Sequence, residues 1–446
     1  MYIKLIQPKM LRRPMDTELK IHMAPPLGLL TIINLLRGEH RVVLENENVE
    51  QIHFDDAPDL VGISVTVDAL PRAIEIAKAF RNRDSVVVAG GIHITTAFDT
   101  IPEDSFDVLC IGQAEGTWPK LVQDYQRGTL KRIYRCGPVQ GPDIVSPAYD
   151  CLDRSKYLFC NVVHTSRGCP FRCDFCYNSG AEHQFLHREI TDILNDIHAV
   201  GSRHIMFIDD NFTGDPAWTR EFLKAIRPLK LKWNAAVSIN AACDPELLDL
   251  MQESGCRSLF IGFESIQRSS IAGVHKIQNT TISYEKAVRE IHKRGIMINA
   301  SFVFGLDGDT KETFQATLNW IVENKIETVT SHILTPYPGT VLYDRMKKEG
   351  RILTDDLSQY NTAHVVFAPK NMTRQELYDG YLWIYKQVYS LKNIRKRLPA
   401  SKSQRSSYLM FNLFYRKYGK LTDFLCRLIT YQRIGKIAER ITHYLK

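Results

Sequence analysis

The sequence predicts an α/β protein with an N-terminal doubly wound parallel sheet, a second series of strand–helix units and a helical C-terminal extension. Three observations predict this class. Short Val/Ile-rich runs alternate with helical patterns over residues 1–130, six further strand–helix units cover residues 161–345, and residues 346–446 show helical spacing. Continuous apolar runs are typical of strands buried on both faces, and their alternation with helices produces parallel sheets.

Length and composition set the frame for this prediction. The chain has 446 residues, 44% of them hydrophobic and 24% charged, as in an ordinary globular protein of about two to three domains. The net charge of +7 is modest for this size, and no zinc finger, helix-turn-helix or RNA-binding aromatic motif occurs, so we expect no nucleic-acid partner. Without a signal peptide or a membrane-crossing apolar run, a reducing cytoplasmic location is expected.

The first domain is expected at residues 1–130. Its predicted strands are 3–8, 41–45, 60–65, 85–91 and 108–112, and helical patterns cover 26–36 and 69–81. In such folds, the loops at the carboxyl ends of the strands form a ligand crevice. Here these loops include residues 66–68, 90–93 and 112–115. No GxGxxG motif follows the first strand, which argues against a dinucleotide ligand.

Residues 131–160 are expected to form a linker, because Gly-Pro and Ser-Pro pairs punctuate this stretch, and a short helix is predicted at 150–158. The second domain is expected at 161–345. Its predicted strands are 161–165, 204–209, 232–238, 258–264, 297–304 and 327–334, and its helices 188–200, 216–226, 245–254, 283–294 and 311–322. Asp309 and Glu312 have the spacing of a capping box for the last helix.

Three cysteines lie within eight residues, as Cys169, Cys173 and Cys176 in a CxxxCxxC pattern. Clustered thiolates hold iron–sulfur or zinc, and three of them leave one metal position open for a substrate. The alternative is a zinc knuckle completed by His164 or His183, in a protein that is not an enzyme. The other seven cysteines are scattered through the chain and are interpreted as buried thiols.

The cysteine motif, with the aromatic Phe175 before its last cysteine, resembles the CxxxCxΦC motif of the radical S-adenosylmethionine (SAM) enzymes. The resemblance implies a partial (β/α)6 barrel in which the three thiolates hold three irons of a 4Fe–4S cluster. SAM would chelate the fourth iron, and reductive cleavage of SAM would yield a 5′-deoxyadenosyl radical. Further residues that the resemblance assigns to the cofactor site are Tyr177, Asp209, Asp210, Ser238, Glu264 and Phe304.

The first domain resembles the cobalamin-binding domain that precedes the barrel in one subgroup of these enzymes. The similar segments are Pro-Pro-Leu-Gly-Leu at 25–29, Gly90-Gly91-x-His93, and Gly112-x-x-Glu115-Gly116. The DxHxxG pattern that supplies a histidine to cobalt is absent. This implies cobalamin bound without a protein histidine, or a domain that kept the fold and lost the cofactor. His93 is a candidate contact, with a turn-satisfying histidine as the alternative.

The segment 361–367 and the helix after it resemble the extension of hopanoid methylases and their relatives. A capping box at Thr373 and Glu376 marks the start of that helix. The last stretch combines basic residues with apolar residues at helical spacing. Two interpretations stay open for it. It packs on the barrel as a cap, or it forms a surface that meets a membrane or an acidic electron donor.

The resemblance, which covers residues 1–390, implies hydrogen abstraction from an unactivated carbon followed by cobalamin-dependent C-methylation of a small-molecule or lipid-like substrate. The alternatives are dehydration of the aminoglycoside type or ring cyclisation, as in magnesium-protoporphyrin ester cyclases, without cobalamin. Flavodoxin or ferredoxin would supply the electron. The sequence identifies no catalytic proton donor or acceptor.

Overall fold

The computed structural model describes residues 1–16, 18–20, 22–137, 139–180 and 184–444. These residues form two six-stranded parallel sheets, a small antiparallel hairpin and a C-terminal group of helices. The α/β class, the two successive parallel sheets and the helical extension expected from the sequence are therefore confirmed.

The first sheet has the strand order β2-β1-β3-β4-β5-β6. Its strands are β1 (Tyr2–Gln7), β2 (Arg41–Asn46), β3 (Leu60–Ser64), β4 (Val86–Gly90), β5 (Val108–Ile111) and β6 (Ile133–Arg135), and its helices are α1 (Leu27–Leu36), α2 (Leu70–Arg81), α3 (Ile92–Ala97) and α4 (Ala114–Gln126). β6 lies in the stretch expected to be linker, so the first sheet extends beyond residue 130.

Helices cover both faces of this sheet, which explains its continuous apolar strands. Val87 packs in the core with α2, whereas the next residue, Val88, packs in the core with α1 and α4. Successive side chains of a strand point to opposite faces, so both must be apolar when both faces are buried. The α1 and α4 face shares its core with the second domain.

The second sheet has the order β14-β13-β12-β11-β10-β7. It is open, because its two edge strands, β14 and β7, do not pair with each other. Its strands are β7 (Val162–Val163), β10 (His204–Phe207), β11 (Lys232–Val237), β12 (Cys256–Glu264), β13 (Met297–Phe304) and β14 (Thr328–Ile333); β8 (Ser166–Gly168) and β9 (Phe185–His187) form the antiparallel hairpin. The sequence did not predict this hairpin, whose three-residue strands are too short for a periodic signal.

The helices of the second domain are α5 (Ile190–Val200), α6 (Pro216–Ile226), α7 (Pro245–Glu253), α8 (Arg268–Ala272), α9 (Tyr284–Lys293) and α10 (Lys311–Glu323). Side-chain caps stand at the starts of α6, α7 and α9, and the capping residues are Asp215, Asp244 and Ser283. The capping box expected at Asp309 is wrong. Thr310 precedes α10, and the buried Asp309 carboxylate accepts from the backbone nitrogens of Gly305 and Leu306, each at 3.0 Å.

The connection between the domains is not the short helix predicted at 150–158. It consists of two single 3₁₀ turns, Tyr149–Cys151 and Arg154–Lys156. Hydrogen bonds tie the preceding segment to both domains: the Ala148 nitrogen donates to the Leu30 carbonyl at 3.1 Å, and the Tyr149 hydroxyl donates to the Val162 carbonyl at 3.0 Å. These tertiary partners decide the backbone path here.

The extension contains α11 (Val341–Lys348), α12 (Arg374–Val388), α13 (Leu391–Lys396), α14 (Lys402–Leu409), a π-helical stretch (Met410–Lys417), α15 (Gly419–Ile429) and α16 (Tyr431–Tyr444). The capping box of Thr373 and Glu376 is confirmed, with reciprocal bonds of 2.8 and 3.2 Å. The buried Arg397 side chain donates to the carbonyls of Ile326, Glu327 and Val388, which fastens the extension to the barrel. Among the described helices, none has the length and hydrophobicity needed to span a membrane.

Candidate active site

The three clustered cysteines lie on the loop that connects β8 to β9 and begins after Gly168. Gly168 has φ +78°, and a Cβ atom there would stand 1.9 Å from the Gln184 carbonyl oxygen, so the hairpin requires glycine at this turn. Within the loop, the Asp174 nitrogen donates to the Val274 carbonyl at 3.1 Å, and its carboxylate lies 2.8 Å from Nδ1 of His275. The loop is thus fixed to the segment that follows β12.

Burial raises the pKa of all three thiols, that of Cys176 to about 12. The three also interact electrostatically with one another, since the charge on Cys173 acts on both of the others. Within the described part of the chain, no three His, Cys, Asp or Glu side chains converge closely enough to hold one metal ion. A 4Fe–4S cluster takes each thiolate on a different iron, so it accepts wider spacing than a zinc ion does.

Two histidines, His164 and His183, were considered for a zinc site. His164 is buried, and burial together with the nearby charges of Arg188 and Arg167 holds its pKa well below the usual value. Its imidazole is therefore neutral at physiological pH. His183 lies outside the described residues.

Asp209 and Asp210, which follow β10, have different surroundings. Oδ1 of the buried Asp209 accepts from the backbone nitrogens and hydroxyls of Thr165 and Ser166, the residues that lead into the hairpin. Burial raises the pKa of Asp209 to about 6. Asp210 instead faces a cleft, and its Oδ2 accepts from the Gly168 nitrogen at 3.1 Å. Asp210 is therefore the more accessible of the two carboxylates, and Asp209 shapes the loop.

The end of β11 contacts this Asp-Asp-Asn segment through an asparagine that the sequence did not single out. The Ser238 nitrogen donates to Oδ1 of Asn211 at 3.2 Å, so Ser238 lies beside the carboxyl end of β10. Oδ1 of the nearby Asn240 is buried, with no hydrogen-bond partner among the described residues. A buried acceptor without a partner is unfavourable, so Asn240 is available to a ligand.

Glu264 ends β12 at a bulge and has φ +60°, an uncommon conformation for a residue with a side chain. Its carboxylate pairs with the ammonium of Lys276, which the sequence did not single out. The charged partner of Glu264 is thus a lysine. Lys276 lies 5.9 Å from the centre of the Phe175 ring, and its charge acts on Cys173. The ion pair therefore borders the cysteine loop.

An aromatic pair stands directly after the last cysteine of the motif. The rings of Tyr177 and Tyr337 stack with centroids 4.2 Å apart. The Tyr177 hydroxyl is buried and makes no hydrogen bond within the described residues. This pair forms an apolar wall with a polar tip beside Cys176.

Phe304, which the resemblance assigns to the cofactor site, packs into the core in the structure. Phe304 is 1% exposed and stacks on Phe314 of α10, with ring centroids 4.6 Å apart. Side chains alternate along β13, so Phe304 points to the helix layer and the less buried Val303 points to the opposite face. The strand was predicted from the sequence, but the face of it that looks into the barrel was not.

A cleft of about 350 Å³ opens between the two domains. The first domain lines it with the carboxyl ends of β3, β4 and β5 and with α1 and α4, and the barrel lines it with His164, Ser166, Arg167, Ile208 and Asp210. Gly90, Gly91, Gly112 and Glu115, all expected at the cofactor site, lie on its lining. Gly91 has φ +102°, and a Cβ atom there would stand 2.9 Å from the Val65 nitrogen, so the turn itself requires glycine.

Glu115 has a structural partner across this cleft. Its two carboxylate oxygens accept from the two terminal nitrogens of Arg167, at 2.9 and 3.0 Å, and Gln113 Oε1 accepts from the same guanidinium at 2.6 Å. Arg167 immediately precedes Gly168 and the cysteine loop. The expected cofactor contact at Glu115 therefore also connects the two domains.

His93, a candidate cofactor contact from the sequence, packs in the core of the first domain. His93 is fully buried and does not belong to the cleft lining. Gly91 starts α3, and the helical turn directs His93 into the sheet, where Nε2 lies 3.4 Å from the Thr100 hydroxyl. Burial lowers its pKa to about 4, so the imidazole is neutral.

Comparison with known proteins identifies the barrel. Residues 163–321 match the family model described as the radical SAM superfamily. The chain is a radical SAM enzyme. Residues 340–440 match a domain of unknown function, DUF4070.

The sequence similarity between this radical SAM enzyme and its relatives extends over most of its length. It is 29% identical over 408 residues to the bacteriochlorophyllide d C-12(1)-methyltransferase of Chlorobaculum tepidum, covering 88% of each chain. It is 28% identical over 355 residues to the hopanoid C-2 methylase of Rhodopseudomonas palustris, covering 76% of this chain and 67% of the relative. The fold is similar to that of the radical SAM methyltransferase TsrM from Kitasatospora setae, solved with cobalamin and a 4Fe–4S cluster (TM-score 0.63, 18% identity, 78% and 74% coverage).

The cysteines of this radical SAM enzyme were predicted from the sequence, but the residues that hold their loop were not. Arg167, His275 and Lys276 all contact the loop or the cleft through charged groups. Arg167 stands two residues before Cys169, and this position was the one signal for it in the sequence. His275 and Lys276 are separated from the motif by about a hundred residues, and only the fold brings them to it.

Proposed function

We propose that this enzyme methylates an unactivated carbon of a largely apolar small-molecule or lipid-like substrate, using a 4Fe–4S cluster, SAM and cobalamin. One observation carries the proposal. The interdomain cleft opens at Asp210, whose carboxylate accepts from the backbone nitrogen of Gly168, immediately before Cys169. A group held in the cleft would therefore lie beside a group held by the three cysteines.

The residues present fit the three cofactors. Cys169, Cys173 and Cys176 would hold the cluster, while Asp210 and the unpartnered Asn240 carbonyl offer acceptors for the SAM ammonium. When bound, the cluster with SAM would supply a carbon-centred radical, and cobalamin would supply the methyl group. The protein's own contribution is to hold these groups in order and to exclude water from them.

The cleft suits a large planar ring. Gly28, Gly62, Gly90, Gly91 and Gly112 all contribute to its lining, and residues without side chains let a ligand approach the backbone closely. Leu27, Ile32 and Trp118 add apolar surface on the α1 and α4 side. The lining residues that the first domain contributes include no histidine, so cobalamin would bind there without a cobalt-ligating imidazole from that domain.

The substrates of the relatives suggest two substrate classes. The names of the two relatives given above specify a bacteriochlorophyllide, which is a tetrapyrrole, and a hopanoid, which is a polycyclic lipid. Both are large ring systems with mostly apolar surface.

The test is anaerobic reconstitution with iron, sulfide and hydroxocobalamin, followed by incubation with SAM and a reductant. We expect a brown 4Fe–4S spectrum, bound cobalamin, and both 5′-deoxyadenosine and S-adenosylhomocysteine. Reduced flavodoxin and ferredoxin are each compared with a chemical reductant as electron donors. Formation of 5′-deoxyadenosine without cobalamin binding would instead support dehydration or cyclisation, and bound zinc without iron would contradict the enzyme assignment.

We also propose that the C-terminal helices bind an anionic membrane surface. On α15, Leu421, Phe424, Leu425 and Leu428 form one helical stripe, and their side chains are 39–68% exposed. The exposed Lys417 and Lys420 lie at the start of this stripe. An exposed apolar face with basic residues beside it is typical of helices that lie in the membrane interface.

Vesicle flotation tests this surface. The full chain should float with vesicles containing one-third phosphatidylglycerol and less with pure phosphatidylcholine, and Phe424→Ser with Leu428→Ser should abolish flotation. Ile277→Ser removes an equally exposed apolar side chain, 66% exposed, at a distant site and should have no effect. Absence of flotation, or dimerisation that the double variant abolishes, would contradict the membrane assignment.

A further inference from the structure

We infer that a cationic cluster at the β14 edge of the barrel, made of Arg13, Lys20 and Arg416 around His332, binds an anionic group of the substrate. The inference rests on the proposed function and narrows its substrate class. The substrate would be an apolar ring system or chain that carries a carboxylate or a phosphate, and a neutral hydrocarbon would not satisfy the cluster.

Two of the cations come from the segment between β1 and α1. Nη1 of Arg13 lies 3.4 Å from Nδ1 of His332 on β14, and the same histidine nitrogen lies 3.1 Å from the Thr362 hydroxyl. The Lys20 ammonium is 2.7 Å from Oδ2 of Asp16, and Nε of Arg13 is 3.8 Å from the same oxygen. One carboxylate thus serves both cations.

The third cation, Arg416, lies on the π-helical stretch of the extension. Its guanidinium carbon stands 5.0–5.6 Å from the ring centres of Tyr385, Tyr389, Phe411 and Tyr415. Cation–π contacts satisfy the faces of the group but not its N–H donors. Within the described part of the chain, Arg416 forms no ion pair, and its buried Nε donates no hydrogen bond.

The cluster therefore holds more positive than negative charge. The Asp16 carboxylate pairs with Arg13 and Lys20, and its charge also acts on Arg416. Burial and the charge of Arg13 lower the pKa of Lys20, and burial with all three cations lowers the pKa of His332 to about 3. Partly buried like charges are unfavourable unless an anion compensates them. The side chains of Arg13 and Lys20 remain 22% and 27% exposed, so an anion can reach them.

The cluster lies on the active-site side of the barrel. Tyr337 stacks on Tyr177, the residue that follows Cys176. Burial is the main cause of the raised pKa of Tyr337, and the charges of Arg13 and Cys176 also act on this pKa. The aromatic pair therefore lies near Arg13 as well as beside Cys176. A substrate anchored by its anion at Arg13 could extend its apolar body along these rings toward the cysteines.

The test is fluorescence titration of the cofactor-free full chain with protoporphyrin IX, a porphyrin with two carboxylates, and with its neutral dimethyl ester. The free acid should bind the wild type about 10- to 100-fold more tightly than the ester, as expected for hydrogen bonds to a charged group. Arg13→Gln and Arg416→Gln should each remove most of this preference and leave binding of the ester unchanged. Lys348→Gln, which removes an exposed cation elsewhere, should keep it.

A competition arm identifies the source of the anion. Geranylgeranyl phosphate and geranylgeraniol are each tested for displacement of a bound porphyrin. Displacement by the phosphate alone, and loss of that displacement in Arg13→Gln, would assign the site to a lipid phosphate. If the wild type prefers neither anion over its neutral counterpart, the inference is overturned. Because these titrations need no cofactor, their failure is independent of hydroxocobalamin binding and SAM cleavage. Arg416→Lys keeps the charge, so it should retain part of the preference even where Arg416→Gln unfolds.

Discussion

Arg167 and Glu115 form a two-bonded ion pair across the boundary between the two domains, with nitrogen–oxygen distances of 2.9 and 3.0 Å. Arg167 lies next to the turn that leads to the cysteines, and Glu115 lies at the start of α4. The pair therefore couples the position of the cysteine loop to the edge of the cleft. Planar bidentate geometry of this kind is stronger than a single-point contact.

We expect Arg167→Gln to lower the free energy of unfolding by about 2 kcal/mol, because it leaves the buried Glu115 carboxylate without its charged partner. It should also weaken cobalamin binding. Urea denaturation of the apoprotein measures the first effect. Arg37→Gln is the matched control, since its pair with Asp150 is largely exposed and should contribute less than about 1 kcal/mol. Equal effects of the two substitutions would contradict a specific role for Arg167.

Replacement of Cys169, Cys173 or Cys176 by alanine should each abolish SAM cleavage, because each removes one of three cluster ligands. Iron content and 5′-deoxyadenosine formation measure the outcome. Cys243→Ala and Cys256→Ala should both keep the cluster. Cys256 is buried as expected from the sequence, whereas Cys243 is exposed, so that expectation was wrong for Cys243. Normal SAM cleavage in any of the three motif variants would refute the ligand assignment.

Asp210→Asn should weaken SAM binding by about 1.5–3 kcal/mol, the range for a hydrogen bond to a charged group. The carboxylate is accessible at the cleft, so folding should be little affected. Equilibrium dialysis of the reconstituted protein measures the affinity. Glu264→Gln is compared with Asp210→Asn in the same assay. Because Glu264→Gln also breaks the buried ion pair with Lys276, it should lower the stability of the fold as well as SAM affinity. Unchanged SAM affinity in both variants would exclude them from the pocket.

Asp209 should affect the pH dependence of stability. Its folded-state pKa of about 6 lies above the ordinary 3.8, so the folded protein binds the proton more tightly than the unfolded chain does. Stability therefore falls as the pH rises from about 4 to about 6, by about 3 kcal/mol for this group. Asp209→Asn should remove that part of the slope in urea denaturation of the apoprotein. Identical slopes in the variant and the wild type would show that Asp209 does not titrate in this range.

Gly28→Trp should block cobalamin, weakening hydroxocobalamin binding by at least about 100-fold. Gly28 lines the cleft, and a Cβ atom there meets nothing within 4 Å, so an indole can enter the space without displacing the backbone. Gly91→Trp is a poorer design, because the positive φ of Gly91 and its contact with Val65 would strain the fold. Gly38→Trp, in equally open space outside the cleft, is the control. Spectroscopic titration gives the affinities, and tight binding by Gly28→Trp would place cobalamin elsewhere.

Local features of the sequence determined the element types and the cysteine motif. The Val/Ile runs of β3 and β4 are buried on both faces as expected, since uninterrupted apolar strands cannot face water on either side. The spacing of Cys169, Cys173 and Cys176 places three thiols on one loop whatever surrounds them. The glycines at 90, 91 and 112 lie at the cleft because the carboxyl ends of parallel strands meet at one edge of the sheet.

Tertiary structure alone decided which way individual side chains point and what they pair with. His93 and Phe304 each lie next to an expected site, but a helix start at Gly91 and the alternation of β13 direct both side chains into the core. Glu115 and Glu264 are paired with Arg167 and Lys276, and Arg13 meets His332 more than three hundred residues away. A local pattern determines backbone periodicity, whereas the partner of a charged group depends on distant segments that only the folded chain brings together.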